Sequence, residues 1–355
     1  MVVYLFMIIS TIIMTVGIKK ARKSENKSLE IACKIMTFLV PFLIMSIRYD
    51  VGQDYFYTYV PVFETVKLTG EYNNIEIGYV LLNKLALLFT QDYAGIFFIT
   101  SFLFCIFIYK AIMQSSKDIT LSFYILFGSC FFFYAMNVTR QSIVIAIFIY
   151  CIKYIKERKM IKYMMIIILS LLIHNIALIF IPVYFVSYFK IKLKLLIVLS
   201  VVVIVAQPLI YNIIVRITND TKYENYITGR YAVSESSMIS PIINASTLIL
   251  CYYYKRRDEK NRQYDDELNI LTNIHIIALL CSLLIGTFPL ASRVFVNFYH
   301  VQILTIPLLL SKEKRKNIRN LLYFGYIFAF GTNFLYSVGL KNGNKVLPYQ
   351  TIFDR

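Results

Sequence analysis

Apolar stretches near the ~20 residues that an α-helix needs to cross a bilayer recur along this chain, separated by short polar segments. The chain has 355 residues, of which 58% are hydrophobic, and this composition excludes an ordinary soluble domain. The first apolar run, 2–18, has no basic region before it and no small-residue cleavage site after it, so we interpret it as a retained helix. The sequence therefore predicts an all-α polytopic membrane protein.

Short clusters of Lys and Arg alternate with loops that hold few basic residues. Placing every cluster on the cytoplasmic side satisfies the positive-inside rule and fixes the direction of each crossing. The clusters lie at 19–27, 110–117, 153–162, 190–194, 255–262 and 312–319. They account for the net charge of +17, so the charge does not call for a nucleic-acid partner.

The expected arrangement is one integral membrane domain, 1–355, with about 11 or 12 transmembrane segments. The predicted spans are 2–18, 29–47, 94–112, 119–136, 139–155, 162–173 with 175–189, 193–214, 241–254, 270–288, 292–310 and 320–338. The segments predicted on the outer side are the loops 48–76 and 215–240, the turn 136–139, a turn around Pro289 and the tail 339–355.

Two apolar stretches do not fit a simple count of crossings. Residues 77–90 cannot cross without placing every later basic cluster outside, so they are predicted to form a re-entrant or interfacial helix on the outer face. Residues 163–189 must cross an even number of times, which predicts a broken helical hairpin with its turn at His174 and Asn175. Broken backbone at membrane depth occurs where it lines protein or water, which makes His174 a candidate site residue.

The first outer loop combines Arg48, Asp50, Asp54 and Tyr55. An Arg at a membrane edge is by default a candidate functional residue. Aromatic rings beside carboxylates suit a sugar, because rings stack on its apolar face and carboxylates accept from its hydroxyls. Two alternatives remain open: an interfacial Tyr belt with a local salt bridge from Arg48, or a hard cation shared by Asp50 and Asp54.

Arg140 and Gln141 open the span 139–155 at its outer end. A helix N-terminus favours anions, and the guanidinium adds a charge and a fork of donors, so this position is suited to a phosphate. Arg140 could instead extend towards lipid phosphates. His174, a lone polar side chain in an apolar run, could equally be a packing residue.

In the span 292–310, Arg293, Asn297 and His300 follow at helical spacing and share one helix face. Polar groups at this depth are expected to face the interior of the helical bundle. With Arg48 and Arg140 on the same side of the membrane, Arg293 completes a predicted set of three arginines that converge on an anionic group.

Several short motifs resemble the EpsG family, a branch of the Wzy-type polysaccharide polymerases. The matching segments are Ile47 to Tyr55, Glu76-x-Gly78-Tyr79, Thr139 to Ser142, Leu172-Ile173-His174-Asn175-x-Ala177, the span with Arg293, and Leu347-Pro348-Tyr349. They are spread over most of the chain.

The resemblance implies a membrane glycosyltransferase at the outer face of the bacterial cytoplasmic membrane. Such enzymes join oligosaccharide repeat units carried on undecaprenyl diphosphate into exopolysaccharide or capsule. The resemblance implies neither a metal nor a cofactor. His174, Asp54 or Asp50 is expected to act as the base, with His174 favoured. The residues expected to bind substrate are Arg48, Arg140, Gln141, Arg293, Asn297 and Tyr55. Bidentate Arg–phosphate pairs suit a diphosphate.

The expected partners are the lipid bilayer and the lipid-linked oligosaccharides, together with flippase and chain-length regulator proteins. Two other classes compete with a polymerase: a lipid-linked oligosaccharide flippase or other transporter, and a membrane O-acyltransferase that modifies the same polymer. A transporter is expected to show two similar halves, and the sequence shows no such repeat. Its polar groups would also continue into the cytoplasmic half, whereas these cluster on the predicted outer side.

Overall fold

The chain is described by a computed structural model for residues 1–73, 75–218, 238–262, 265–287 and 290–355. The helices are α1 (Val2–Lys23), α2 (Lys27–Ser46), α3 (Val60–Thr69), α4 (Ile77–Leu87), α5 (Ala94–Ser115), α6 (Ile119–Gly128), α7 (Phe131–Asn137), α8 (Thr139–Lys156), α9 (Met160–Ser170), α10 (Val183–Val186), α11 (Leu193–Val205), α12 (Gln207–Thr218), α13 (Ile239–Lys260), α14 (Asp266–Ser282), α15 (Leu290–Tyr299), α16 (Gln302–Lys312) and α17 (Lys316–Phe334). The short elements are the strands β1 (Arg48–Tyr49) and β2 (Gln350–Thr351), a 3₁₀ turn at Asn175–Phe180, and π-helical turns at Tyr55–Tyr59 and Leu335–Leu340.

The predicted all-helical membrane fold is confirmed. Among the described residues, α1, α2, α5 and the helix over Lys316–Leu340 are long and apolar enough to cross a membrane alone. Three bent pairs qualify when each pair counts as one span, which raises the number in this part of the chain to as many as seven. The larger predicted number of crossings stays a prediction. Most of the predicted loop 215–240 and the turn around Pro289 lie outside the described residues.

Three spans that the sequence predicted as single helices are bent in the middle. The bends are 48° between α6 and α7, 61° between α11 and α12, and 44° between α15 and α16. At the first of them Cys130 adopts a left-handed backbone conformation, with φ of 63°, which ends one helix and begins the next. The third falls at His300, so Arg293 and Asn297 lie on α15 while His300 follows its end.

The two irregular stretches contain the predicted short helix and the predicted break, although residues 175–189 form a 3₁₀ turn and the four-residue α10 rather than one helix. Their placement relative to the membrane stays a prediction. Helix α4 has 11 residues, and a helix of that length spans roughly 16 Å, too little to cross a bilayer. The chain breaks at His174, between α9 and the 3₁₀ turn that begins at Asn175. Polar His174 and Asn175 mark this break within an otherwise apolar sequence.

The described residues fall into two compact units, and the prediction of a single membrane domain stays a prediction. The first unit comprises residues 1–182 and 313–355, and the second comprises 183–312. In the first unit, α1 packs on α2, and α5 packs on both α2 and α8. Polar contacts at one end of this unit join segments that are distant in sequence.

The tail of the first unit is tied to its first loop. Strand β2 pairs antiparallel with β1, with Thr351 opposite Arg48. The Gly52 N–H donates to the Lys345 carbonyl at 2.9 Å, and the Tyr4 hydroxyl donates to the Val346 carbonyl at 2.8 Å. The beginning of the chain, the loop 48–76 and the tail 339–355 thus meet at one end, as expected for segments predicted on one side of the membrane.

In the second unit, buried polar side chains link the helices. His275 on α14 contacts Asn244 Oδ1 through Nδ1 at 2.7 Å and Thr305 Oγ1 through Nε2 at 2.9 Å. Asn273 donates to the carbonyls of Val186 and Phe189 at 3.0 and 2.8 Å, which satisfies backbone groups that the end of α10 leaves open. These contacts give His275 a structural role in joining α13, α14 and α16.

Candidate functional site

Arg48 lies completely buried at the start of β1. Its Nη1 donates to the Met45 carbonyl and to Ser101 Oγ (3.2 Å), and Nη2 donates to Thr139 Oγ1 at 3.3 Å. All of these acceptors are neutral, and within the described residues the Arg48 Nε has no hydrogen-bond partner. Burial lowers the pKa of this guanidinium, because the charged form loses its hydration. Within the described residues, neutral acceptors and the Phe97 ring, whose centre lies 4.7 Å from the guanidinium carbon, surround the buried Arg48 charge.

Asp54 is half-buried next to the segment that precedes α8. Its backbone N–H donates to Asn137 Oδ1 at 2.9 Å. Gly52 makes this approach possible, since its φ is 101° and an added Cβ would lie 2.6 Å from the Met136 carbonyl oxygen. Asp50 is exposed, with a left-handed φ of 49°. The structure thus brings Asp54, but not the Asp50 side chain, into the packed part of this loop.

Tyr55 and Tyr59 of the first loop pack as core residues, whereas Tyr57 is exposed. Tyr55 is fully buried, its ring is stacked on Phe97 with centroids 4.0 Å apart, and its hydroxyl donates to the Arg48 carbonyl at 3.3 Å. Tyr59 accepts a hydrogen bond from the Thr139 N–H at 2.7 Å, and burial raises its pKa to about 12. Both rings help to position the start of α8. The predicted contact of Tyr55 with a sugar stays a prediction.

Arg140 forms an ion pair with Glu76, the residue that precedes α4. Its Nη1 donates to Glu76 Oε2, and its guanidinium carbon lies 5.4 Å from the centre of the Tyr79 ring. The Arg140 side chain retains 18% of its exposure, whereas Arg48 retains none. Of these two arginines, Arg140 is therefore the one that a bound anion can reach. Gln141, next to it, is buried.

The other oxygen of Glu76 reaches the break in the helical hairpin. Oε1 accepts from the Asn175 N–H at 3.2 Å. His174 is half-buried, and its Nδ1 accepts from the Ile176 N–H at 3.1 Å. Because Nδ1 acts as an acceptor, a neutral His174 ring carries its hydrogen on Nε2. Helix α4, the start of α8 and the predicted hairpin turn thus meet around one carboxylate.

The packing of α4 against the hairpin turn is very close. An added Cβ at Gly78 would lie 2.4 Å from the Leu172 carbonyl oxygen, so only glycine fits here. Together, Glu76, Tyr79, Arg140, His174 and Asn175 form the Glu76 junction.

Arg293 and Asn297 belong to the second unit. Arg293 is exposed, and Asn297 is buried with its Nδ2 donating to the Arg293 carbonyl at 2.8 Å. The expected convergence of Arg293 with Arg48 and Arg140 stays a prediction. In the part of the chain that the structure describes, His, Cys, Asp and Glu side chains form no group of three or more that could hold a metal ion.

The family model for EpsG matches residues 31–351 of this chain. The chain belongs to the EpsG family. Searches of curated proteins and of solved structures found no match. Membership links this EpsG protein to exopolysaccharide biosynthesis. The length and hydropathy of its helices are those of a multi-pass membrane protein. The match spans the Glu76 junction and Arg293 alike.

The sequence alone predicted no role for Glu76, although this residue lies in one of the motifs that resemble the EpsG family. The available signal was its position, an acidic residue directly before the short apolar helix α4. Its partners, Arg140 and Asn175, are far away in sequence, so the ion pair and the contact with the hairpin turn required the structure.

Proposed function

We propose that this EpsG-family protein is a membrane glycosyltransferase that polymerises oligosaccharide repeat units linked to undecaprenyl diphosphate. The proposed place of reaction is the outer face of the cytoplasmic membrane. Flippase and chain-length regulator proteins are its proposed partners.

The Glu76 junction is the observation that carries this proposal. It offers the reachable guanidinium of Arg140 at the start of α8, where the helix N-terminus also favours an anion. The buried charge of Arg48 lies next to it, bonded to Thr139. Arg groups form strong bidentate pairs with phosphate oxygens, so this arrangement suits a diphosphate at a membrane edge.

In the proposed reaction, a hydroxyl of the acceptor repeat unit attacks the anomeric carbon of the donor chain. The new glycosidic bond forms as the bond from that carbon to the diphosphate oxygen breaks. Undecaprenyl diphosphate leaves with the bonding electrons, and positive charge beside it stabilises the developing anion. The hydroxyl proton passes to a base on the protein.

Two groups of the first unit are candidates for this base. His174 Nδ1 already accepts from Ile176, so the ring can take a proton only if that hydrogen bond breaks. The same contact supports a donor role for His174, from Nε2 to a phosphate or hydroxyl oxygen. Asp54 makes no such demand, because the two oxygens of a carboxylate offer about four acceptor positions and can accept a proton beside the contacts that they already make. We therefore propose Asp54 as the base and His174 as a donor.

The decisive experiment uses purified protein in liposomes and the lipid-linked repeat unit from the strain that carries this chain. A polymerase converts the repeat unit into a ladder of longer products and releases undecaprenyl diphosphate. Translocation of unchanged repeat units would instead identify a flippase. Acyl transfer from an acyl donor to the glycan, without elongation, would identify an O-acyltransferase.

A further inference from the structure

Glu76 holds three separate parts of the first unit with one side chain. It precedes α4, its Oε2 accepts from Arg140 on α8, and its Oε1 accepts from the Asn175 N–H at the hairpin break. Only 9% of the side chain is exposed. Exposed ion pairs contribute little, but a carboxylate with this little exposure fixes the geometry of whatever it binds.

The groups around Glu76 keep its carboxylate ionised. Burial alone would raise its pKa, but the charge of Arg140 and the Asn175 N–H outweigh burial, so the pKa lies below its usual value. The charged and titratable groups that face it are Arg140 from α8 and His174 from the break, and Tyr79 on α4 lies under the Arg140 guanidinium. Glu76 thus lies between a cation and a histidine, and the surrounding groups favour its charged form.

The way Glu76 binds Arg140 leaves most of the guanidinium for another ligand. A guanidinium has five N–H donors in a fixed planar fork, and Glu76 takes a donor on Nη1. Holding one arm of a planar group sets the direction of the other arm. Tyr79 restricts the same group from one face.

We propose that Glu76 is a positioning residue of the polymerase: it aims Arg140 at the lipid diphosphate and keeps the His174–Asn175 break beside it. This inference rests on the proposed function. Glu76 itself does not contact the reacting atoms. Its role is to place the two groups that make such contacts.

The test is the isosteric variant Glu76→Gln, compared with wild type for donor KM, kcat and thermal unfolding. Arg140 keeps its charge in this variant, so donor KM is expected to stay unchanged or fall. The kcat is expected to fall on the order of 100-fold, the size of loss that follows a displacement of about 1 Å in a reacting group. Asp92→Asn is the matched control, because it removes the ion pair of Asp92 with Arg355 at another place in the same unit.

Thermal unfolding of Glu76→Gln separates positioning from stabilisation. A large loss of kcat at a temperature where the variant is still folded supports positioning. A normal kcat in Glu76→Gln, or a loss of kcat no larger than the loss of folded protein, overturns the inference. Absence of polymer from wild type overturns the proposed function instead, so the two failures are distinguishable.

Discussion

Arg140 is held by one carboxylate, and this geometry determines what a lysine can do in its place. An ammonium is a point charge without the planar fork of a guanidinium, so it cannot bind Glu76 with one arm and make a bidentate pair with the diphosphate through the other. Losing one charge-assisted hydrogen bond costs about 1.5–3 kcal/mol, so Arg140→Lys is expected to lower kcat/KM by about 10- to 100-fold. Polymerisation kinetics at matched membrane levels of protein measure this loss. Near-normal kcat/KM would remove Arg140 from diphosphate binding.

The base is assigned by comparing two variants of the first unit. Asp54→Asn is expected to keep donor binding and lose kcat by about 10²–10⁴-fold, the usual contribution of a positioned base. His174→Ala is expected to lose less, because a hydrogen-bond donor is worth less than the base. Asp50→Asn serves as the control, since Asp50 is exposed in the same loop. The reverse order of effects would assign the base to His174.

Residue types alone predicted where charge and polarity would concentrate, and they left the partners open. Arg48 was expected to face an anion, whereas its guanidinium is buried among the Met45 carbonyl, Ser101 and Thr139. Nothing in the local sequence gives those partners, because Ser101 and Thr139 lie on other helices. The break at His174 could be predicted, since the direction of the crossings required a turn there.

At the scale of elements, the glycine of α4 controls how the junction is built. The missing Cβ of Gly78 would meet the Leu172 carbonyl oxygen at 2.4 Å, and a backbone atom cannot rotate away. Gly78→Ala is therefore expected to push α4 from the hairpin turn, at a cost of roughly 1–3 kcal/mol in stability and with loss of most activity. Gly325→Ala on α17 is the control, because a Cβ there has nothing within 4 Å. Thermal unfolding and polymer yield measure both variants.

Retention of full activity by Gly78→Ala would mean that contact between α4 and the hairpin turn is not required. Neither this contact nor the bends within the helix pairs were predicted from the sequence. Pro208 follows Ala206 at the second bend, and a proline removes the hydrogen bond to the residue four positions earlier and clashes with that turn. The first bend has no proline, and its direction follows the left-handed backbone of Cys130.

At the scale of the molecule, α8 connects the Glu76 junction to a basic end. The helix begins at Thr139 and has 18 residues, which corresponds to about 27 Å, close to the thickness of the hydrocarbon core. Lys153 and Lys156 lie in its last turn, followed by Lys159. The positive-inside rule therefore predicts that the junction lies outside and the Lys159 end in the cytoplasm.

Cysteine labelling in intact cells tests this orientation. The introduced sites are Asp50→Cys and Lys159→Cys, and both positions are exposed at the surface of the first unit. A membrane-impermeant maleimide is expected to label the cysteine at 50 and to spare the one at 159 until the membrane is permeabilised. The parent protein is the control, because Cys33, Cys105, Cys130 and Cys151 of this unit are buried. The reverse labelling pattern would place the junction in the cytoplasm, where it could not act on repeat units already carried across the membrane.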